Sequence, residues 1–418
     1  MYQFIKDFNY IIFLLFFFCY FYQAVFVAIR FFKKPKSKDA KTLHRYAVVI
    51  SARNEKMVIG ELIDSINNQN YPKDKFDIYV IADNCTDNTA QIARERGAIV
   101  YERFNTDFVG KGYSLDFAFN NIEESVGMLS YDGYFIFDAD NVLDENYLLE
   151  MNKIFDQGYN VVTGYRNSKN YDSNWISAGY GLWFMRESKF LNGSRMICKT
   201  SCTVSGTGFL VASKLLKENE GWKYHLLTED IEFSTDRIIH GEVIGYCEDA
   251  VLYDEQPTRF KDSWNQRLRW TKGFYQVFFR YGKELLKGIF KKKGFQCFDM
   301  MMVIAPATIL SVITALGNGS VLVYGFLANR PGIVDMALIE LLMTLAGVYF
   351  SLFMFGLLTT FTEWKRIHCH WRKKIIYLFT FPVFMLTYVP IGVVAMFKKV
   401  TWTPINHSII KSVQQIRQ

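Results

Sequence analysis

The chain has 418 residues, a hydrophobic fraction of 50% and a formal net charge of +7. Its mean hydropathy of +0.03 is an average over long uncharged runs near both ends and a central region of ordinary soluble composition. Much of the positive charge adjoins the apolar runs, where it suits anionic lipid headgroups, so it does not require a nucleic-acid partner. The seven scattered cysteines lack zinc-ligand spacing and indicate reduced thiols.

The first apolar run, residues 10–29, has no charge over about the 20 residues that a membrane helix needs. A cleaved signal peptide is the alternative interpretation. Only Lys6 is a basic residue ahead of the run, and "RFFKKPKSKDAK" follows it instead of a small-residue cleavage site, which favours an anchor. The same basic segment predicts that the soluble region after it is cytoplasmic.

From Tyr46 onward, strand-like and helix-like stretches alternate. The strand candidates are "YAVVISARNE", "FDIYVIADN", "AIVYERF" and "GYFIFDADN", and amphipathic segments such as "EKMVIGELIDSINNQ" separate them. This order predicts an α/β fold with a parallel sheet and right-handed crossovers. The polar strand ends, at 54–55, 83–84 and 138–140, are therefore expected to line one crevice. Further on, "YNVVTGYRNSKN" and "SCTVSGTGFLVASK" are additional strand candidates.

The C-terminal third is basic and then apolar. The stretch that begins "RFKDSWNQRLRW" can lie flat on a membrane, with a solvated helix face as the alternative. Apolar stretches follow at about 298–327, 333–361 and 376–397, and the basic link "EWKRIHCHWRKK" between the last two is expected to be cytoplasmic. As simple spans these stretches place the tail on the opposite side, unless Pro382 and Pro390 break the last one.

Paired carboxylates follow the strand "YFIF". Asp138 and Asp140, two residues apart on a turn, can share Mg²⁺ or Mn²⁺ and leave positions for substrate phosphates, although such a pair is also common in ordinary loops. Lys111 lies between two glycines and suits a phosphate, with simple solvation as the alternative. Asp83, at another strand end, can accept hydrogen bonds from a base or sugar.

The segment "LLTEDIEF" contains a candidate general base. Thr228 can cap the following helix and Glu229 favours its first turn, which leaves Asp230 to accept a proton from a hydroxyl.

The segment "WNQRLRW" places an amide, a guanidinium and an indole on one helical turn, at Gln266, Arg269 and Trp270. That combination suits a diphosphate beside a sugar ring, and a basic helix lying on lipid is the alternative.

These motifs occur in a fixed order: "VVISARNE", "IADNCTDNT", "GKG", "FDAD", "SGTGF", "LTED" and "QRLRW". Together they span residues 46 to about 270, and the sequence resembles the membrane-embedded family-two glycosyltransferases of the cellulose, hyaluronan and poly-N-acetylglucosamine synthase superfamily. The resemblance implies a GT-A fold and inverting transfer from a UDP-sugar, which gives a β-linkage.

The resemblance also implies roles for individual residues. It assigns Mg²⁺ or Mn²⁺ to Asp138 and Asp140, and proton abstraction to Asp230. The implied nucleotide-sugar ligands are Asp83, Lys111, Asp138 and Arg269, and the implied acceptor-binding residues are Glu229, Gln266, Trp270, Gly206 and Thr207. One departure concerns the acceptor site, because "VSGTGF" stands where several synthases have an aromatic-aromatic-Cys-Gly motif.

The predicted layout has five parts. They are a membrane helix (1–30), a cytoplasmic GT-A domain (31–272), an interfacial region (273–297), a membrane region (298–398) and a basic tail (399–418) expected to return to the active-site mouth as a gate. The expected protein is a multi-pass plasma-membrane synthase that binds lipids, a UDP-sugar and a glycan acceptor. It extends a β-linked glycan processively and passes it across the membrane. A transferase that adds one sugar to a lipid or glycan, and a membrane transporter or scaffold with a degenerate catalytic domain, are the alternatives.

Overall fold

The computed structural model describes residues 2–405 and 407–418. Met1, in the predicted first part, and Asn406, in the predicted tail, lie outside the described residues. The centre of the protein is an eight-stranded sheet with the order β3-β2-β1-β4-β7-β6-β8-β5. Its strands are β1 (Tyr46–Ala52), β2 (Phe76–Asp83), β3 (Ile99–Arg103), β4 (Gly133–Asp138), β5 (Val142–Leu143), β6 (Val161–Ser168), β7 (Phe209–Ala212) and β8 (Ile244–Asp254).

The first four strands form the parallel half of the sheet, as the sequence predicts. β1 pairs in parallel with both β2 and β4, and β3 extends this half beside β2. β1 is almost entirely buried because its apolar, partly β-branched residues face helices on both sides. The strands end at the same edge, so the acids at their carboxyl ends share one crevice.

The other half of the sheet is mixed. β7 is antiparallel to β4 and to β6, whereas β6 and β8 are parallel to each other. The stretches that the sequence gives as strand candidates contain both β6 and β7, but the sequence does not predict the reversal at β7. That reversal depends on the path of the long segment between β6 and β7. No local sequence pattern specifies the geometry of this segment.

The helices begin with a long apolar one, α1 (Tyr2–Phe32). Those of the catalytic region are α2 (Ile59–Asn67), α3 (Thr89–Glu95), α4 (Lys111–Ser125), α5 (Tyr147–Phe155), α6 (Trp175–Arg186), α7 (Gly193–Ile197), α8 (Ser213–Glu218) and α9 (Glu229–Ile239). A π-helical turn, Glu187–Asn192, joins α6 to α7. The C-terminal helices are α10 (Phe260–Ile289), α11 (Gly294–Ile304), α12 (Pro306–Leu327), α13 (Pro331–Thr362), α14 (Trp371–Leu386), α15 (Tyr388–Phe397) and α16 (Val413–Arg417).

Four helical segments are long and apolar enough to cross a membrane: Gln3–Phe32, Pro306–Leu327, Pro331–Thr362 and Trp371–Phe397. The stretch predicted from 298 is interrupted at its eighth residue, because Pro306 starts a new helix. Tyr20 of α1 bridges this break: its hydroxyl donates to the Met302 carbonyl at 2.8 Å and accepts from the Ala307 N–H at 2.7 Å.

The tail lies on the same side as the catalytic region. Arg417 is paired with Asp144, and the Lys411 ammonium lies 3.6 Å from a carboxylate oxygen of Asp172. If α12 and α13 each cross the membrane, the segment 371–397 cannot cross it independently as well. The sequence left open whether the last stretch is a simple span or is broken by Pro382 and Pro390; in the structure it is divided at Thr387, and the tail contacts the catalytic region.

α10 joins the catalytic region to the last apolar segment. Arg267 is fully buried and donates to the Phe384 carbonyl at 3.1 Å and to Thr387 Oγ1 at 2.5 Å. Two more residues of α10 reach α15: Tyr275 donates to the carbonyl of Gly392 and Lys272 to that of Ala395. The predicted boundary between 272 and 273 thus falls inside a continuous helix.

Candidate active site

Asp138 is held at the end of β4 by two neighbours. Its backbone N–H donates to Thr207 Oγ1 at 2.8 Å, and Lys111 Nζ donates to its side chain. The same ammonium donates to the Gly206 carbonyl at 2.8 Å. Lys111 therefore links the first strand-end acid to the "SGTGF" segment.

Lys111 is surrounded by acids. Burial alone would lower the pKa of its ammonium, but the carboxylates of Asp138, Glu229 and Asp230 outweigh burial and raise it. The predicted phosphate ligand and the predicted base thus belong to one electrostatic cluster. A lysine charged across the physiological pH range is what binding of a diphosphate requires.

Asp140 is the buried member of the acid pair, with 4% of its surface exposed. It accepts a hydrogen bond from the Glu255 N–H at 3.2 Å. Among residues 2–405 and 407–418, no set of three or more His, Cys, Asp or Glu side chains forms a metal-ligand cluster. Two carboxylates with further positions left to phosphate oxygens and water are nevertheless the donor set that Mg²⁺ favours, so the residues fit a divalent cation.

Asp83 pairs with a residue that the sequence analysis missed. The Arg103 guanidinium donates to Asp83 Oδ1 at 2.7 Å, and both side chains are nearly buried. Burial raises the pKa of Asp83, although Arg103 opposes this shift. The two residues are direct partners across β2 and β3. The arginine at the end of the strand "VYER" could therefore have been predicted as the partner of Asp83.

The "SGTGF" loop needs both of its glycines. Gly206 and Gly208 have φ angles of +81° and +67°, which side-chain-bearing residues rarely adopt. A Cβ atom on Gly208 would lie 1.9 Å from Leu252. Between them, Thr207 Oγ1 donates to Asn141 Oδ1 at 2.5 Å, which ties the loop to the turn that carries Asp140.

The candidate base lies directly against this loop. The Gly206 N–H donates to Asp230 Oδ2 at 2.6 Å, and Asp230 occupies the first turn of α9. Burial raises the pKa of Asp230. Burial and the adjoining Asp230 charge raise the pKa of Glu229 to about 7. The pair therefore holds a proton more readily than ordinary carboxyl groups do.

The "QRLRW" residues lie on α10 and approach the region of the candidate base Asp230. Arg269 donates to the Leu227 carbonyl at 3.2 Å and thus contacts the loop before α9. The side-chain oxygen of Gln266 is buried and accepts no hydrogen bond from any residue that the structure describes. The Trp270 ring packs edge-on against Tyr180, with the centroids 5.7 Å apart. The buried oxygen of Gln266 is therefore free to accept a hydrogen bond from a ligand.

The tail lies across the mouth of the crevice. His407 bonds to a Glu55 carboxylate oxygen at 3.0 Å, and its other ring nitrogen is 3.8 Å from an oxygen of Asp140. The backbone N–H groups of Ser408 and Ile409 each donate to Glu255 at 3.0 Å. Neither His407 nor Glu255 was a predicted site residue, because only folding brings positions 55, 255 and 407 together.

The positive charge of His407 is complementary to the negative charge of the neighbouring carboxylates. Burial alone would lower the pKa of its imidazole, but the carboxylates of Asp140 and Glu55 raise it to about 10. Nearby, the Arg53 guanidinium lies 5.2 Å from the centre of the Trp402 ring. Two tail side chains thus engage residues at the crevice.

Comparisons with known proteins place this geometry in a family. The model of "Glycosyltransferase like family 2" matches residues 44–273, more than half of the chain. Probable glycosyltransferase YdaM of Bacillus subtilis is 27% identical over 267 residues, which cover 60% of this chain and 61% of YdaM. Beta-monoglucosyldiacylglycerol synthase of Synechocystis is 24% identical over 66% of this chain and 59% of its own length.

A third relative, poly-beta-1,6-N-acetyl-D-glucosamine synthase of Staphylococcus epidermidis, is 25% identical over 56% of this chain and 55% of its own length. The matches thus span less than two thirds of each relative. The mannosyltransferase PcManGT from Pyrobaculum calidifontis, solved in complex with GDP-Man and Mn²⁺, superposes with a TM-score of 0.54 at 16% identity, over 93% of this chain and 98% of that one. This likeness establishes the GT-A fold. The chain belongs to glycosyltransferase family 2 and is a glycosyltransferase.

Proposed function

We propose that the protein is an inverting transferase that moves a hexose or N-acetylhexosamine from a UDP-sugar to a hydroxyl of a growing β-linked glycan. The observation that carries this proposal is the single cluster of Asp138, Lys111, Gly206 and Asp230. In this cluster the Lys111 ammonium bonds to Asp138 and to the Gly206 carbonyl, and the Gly206 N–H bonds to Asp230. The cluster thus connects the candidate diphosphate-binding residues to the candidate base.

The residues support a one-step displacement. Asp230, oriented by the Gly206 N–H, accepts the proton of the acceptor hydroxyl while that oxygen forms a bond to the sugar C1. The bond from C1 to the phosphate oxygen breaks at the same time, and UDP leaves with the electron pair. The ammonium of Lys111 stabilises the charge that develops on the leaving diphosphate.

Asp138 and Asp140 are the residues that would hold Mg²⁺ or Mn²⁺. When bound there, the cation supplies positive charge to the diphosphate. In this proposal Asp83 binds the nucleotide and Arg269 the diphosphate. Glu229, Gln266, Trp270, Gly206 and Thr207 line the acceptor side.

Two features support a membrane location with the catalytic region in the cytoplasm. Basic residues follow α1, and a basic link joins α13 to α14. The tail belongs to the same side, since it contacts the catalytic region. In this proposal the protein lies in the plasma membrane, and segment 399–418 opens and closes the crevice as a gate.

A second candidate is a transferase that adds one sugar to a lipid. Its support is the similarity to beta-monoglucosyldiacylglycerol synthase. It is also supported by the close packing of α6 on α14 beside Trp270, where a Cβ on Gly179 would lie 2.4 Å from the Phe384 ring. Such packing leaves little room for a polymer to pass between these helices.

One experiment separates the candidates. The full chain in detergent is incubated with Mn²⁺ or Mg²⁺ and each of several UDP-sugars, UDP release is followed, and the product is sized before and after linkage-specific hydrolases. A high-mass product from one sugar nucleotide supports processive synthesis. A product of one added sugar that requires a diacylglycerol or oligosaccharide acceptor supports single transfer. No UDP release under any of these conditions overturns both.

A further inference from the structure

A small cavity lies beside the "SGTGF" loop. Its lining includes Thr163, Arg166, Phe184, Glu187, Ser205 and Thr207. Ser205 and Thr207 flank Gly206, whose N–H holds the candidate base Asp230. The cavity therefore adjoins the place where the reacting hydroxyl must lie.

Glu187 is the acidic residue of this cavity, and it begins the π-helical turn between α6 and α7. Turns of this kind are rare and are frequent at functional sites. Its carboxyl group is surrounded by protein, yet it forms no ion pair with any described residue. Its one hydrogen bond, from Ser205 Oγ, is 3.5 Å long, well beyond the usual distance for a hydroxyl donor.

The surroundings of this carboxyl group raise its pKa. Burial raises the pKa of Glu187 and the charge of Asp230 adds to the shift, although arginines at 195, 166 and 186 oppose it. A protonated carboxyl offers one hydrogen-bond donor and one acceptor, as a sugar hydroxyl does. This half-buried group, with one long hydrogen bond, can still accept a ligand partner at low cost.

The cavity is connected to the predicted acceptor site by aromatic contacts. The Arg166 guanidinium lies 3.7 Å from the centre of the Phe184 ring, and its Nη1 donates to the Ser205 carbonyl at 2.9 Å. On its other side, the Phe184 ring meets Trp270 with centroids 6.2 Å apart. These contacts link the cavity that contains Glu187 to Trp270, a predicted acceptor residue.

We propose that Glu187 binds a hydroxyl of the acceptor sugar next to the hydroxyl that reacts, and so determines acceptor specificity. This inference rests on the proposed function. Glu187 does not take the reacting proton, which goes to Asp230. Its contribution is to position the acceptor, and its loss is expected to affect the acceptor and not the donor.

The test uses the full chain in detergent with the UDP-sugar that the wild type hydrolyses. The acceptor probes are β-linked tetrasaccharides of glucose or N-acetylglucosamine, and diacylglycerol in phosphatidylcholine vesicles. UDP release is measured without an acceptor, which reports on the donor, and sugar incorporation is measured over a range of acceptor concentrations. UDP binding is measured separately by calorimetry.

Glu187→Ala is expected to raise the acceptor KM by about 10-fold, the effect of one lost hydrogen bond at a desolvated site, with UDP binding unchanged. Glu187→Gln keeps a donor and an acceptor atom and is expected to stay within about 3-fold of the wild type. Glu187→Asp withdraws the carboxyl by one methylene without removing it, so an elevated acceptor KM is expected there even if the alanine variant fails to fold. Glu218→Ala removes an exposed carboxylate on α8 and serves as the matched control.

Three results would overturn the assignment. They are an unchanged acceptor KM in the alanine and aspartate variants, an equal loss in the alanine and glutamine variants, and a loss of UDP affinity that matches the loss of transfer. The second would mean that Glu187 acts through its charge, and the third that it acts on the donor. Failure of the proposed function is distinct from these, because the wild type would then release no UDP from any sugar nucleotide.

Discussion

The two sides of the crevice are built in different ways. In the proposed function one side binds the donor and the other binds the acceptor. The donor side comes mainly from segment 46–141, in which Asp83 pairs with Arg103 and Asp138 with Lys111. Arg269 on α10 and His407 of the tail add to it. The acceptor side is assembled from residues near 206, 230 and 270, which different elements deliver. Donor binding therefore depends mainly on local sheet geometry, whereas acceptor binding depends on how helices from distant parts of the chain meet.

The buried polar atoms of the acceptor side are also less completely paired in hydrogen bonds. Its buried polar atoms without a hydrogen-bond partner in the described part of the chain include Gln266 Oε1 and Thr228 Oγ1. α10, which carries Gln266, is fixed at its other face by the contact of Arg267 with Phe384 and Thr387. Changes in the last apolar segment are therefore expected to reach acceptor chemistry before they reach nucleotide binding.

The largest expected effect is a loss of transfer with no loss of UDP binding, which separates the acceptor side of the crevice from the donor side. Asp230→Asn removes the candidate base but keeps its shape and its contact with the Gly206 N–H. Transfer is expected to fall by about 10²- to 10⁴-fold, the usual contribution of a general base, with UDP affinity unchanged. UDP release and calorimetry of UDP binding measure the two quantities.

Asp249→Asn is the matched control, because this carboxylate is exposed on β8. It should leave both quantities at wild-type values. Transfer by the Asp230 variant within a few-fold of the wild type would exclude a base at this position.

The next effect belongs to the donor side. Asp138→Asn removes one carboxylate of the candidate cation site and the partner of Lys111. UDP affinity in the presence of Mn²⁺ is expected to fall by about 10- to 100-fold, because both the cation and the orientation of the lysine are affected. Titration of UDP at several Mn²⁺ concentrations measures it.

Asp74→Asn, at an exposed position before β2, is the control for a simple loss of charge. If the Asp138 variant bound UDP and Mn²⁺ as the wild type does, the acid pair would not be the cation site.

A smaller effect tests the difference in hydrogen bonding between the two sides of the crevice. Gln266→Met keeps the length of the side chain and removes an amide whose oxygen is buried without a partner. The melting temperature is expected to stay equal or rise, because an unsatisfied buried polar atom costs about 1–3 kcal/mol. The acceptor KM is expected to rise by about 10-fold in the same variant.

Gln276 provides the comparison on the same helix, because its side-chain oxygen accepts the Leu227 N–H at 3.3 Å. Gln276→Met is therefore expected to lower the melting temperature. A lower melting temperature for the Gln266 variant, with an unchanged acceptor KM, would make Gln266 a structural residue.

The same difference between the two sides explains what the sequence could predict. The parallel strands and their terminal acids follow from local patterns, since each apolar run and the acid at its end are neighbours in the chain. Arg103 was within reach of this reasoning, because β2 and β3 are both predicted. Glu187, Glu255 and His407 were not, because their positions at the crevice depend on a π-helical turn, on β8 and on the path of the tail after the last apolar segment.

The smallest effect concerns the proton that Glu229 and Asp230 hold. Glu229 is buried and Asp230 is half-buried, and the pKa of Glu229 is raised to about 7 by burial and by the charge of Asp230. Asp230 acts as a base only when ionised, so transfer should increase as the pH rises through the range in which the pair loses its proton. On the acid side of that range the rate should fall.

Glu229→Gln removes one of the two charges that repel each other. Asp230 ionises before Glu229, because beside burial it is the charge of Asp230 that raises the pKa of Glu229. The repulsion is therefore absent when Asp230 loses its proton, and the acid limb of kcat/KM should stay in place in this variant. The measurement is UDP release with a fixed acceptor from pH 5 to 9, with Glu218→Gln as an exposed control. An acid limb that moved to lower pH would mean that Glu229 is already charged when the base ionises, and the order of ionisation within the pair would then be the reverse.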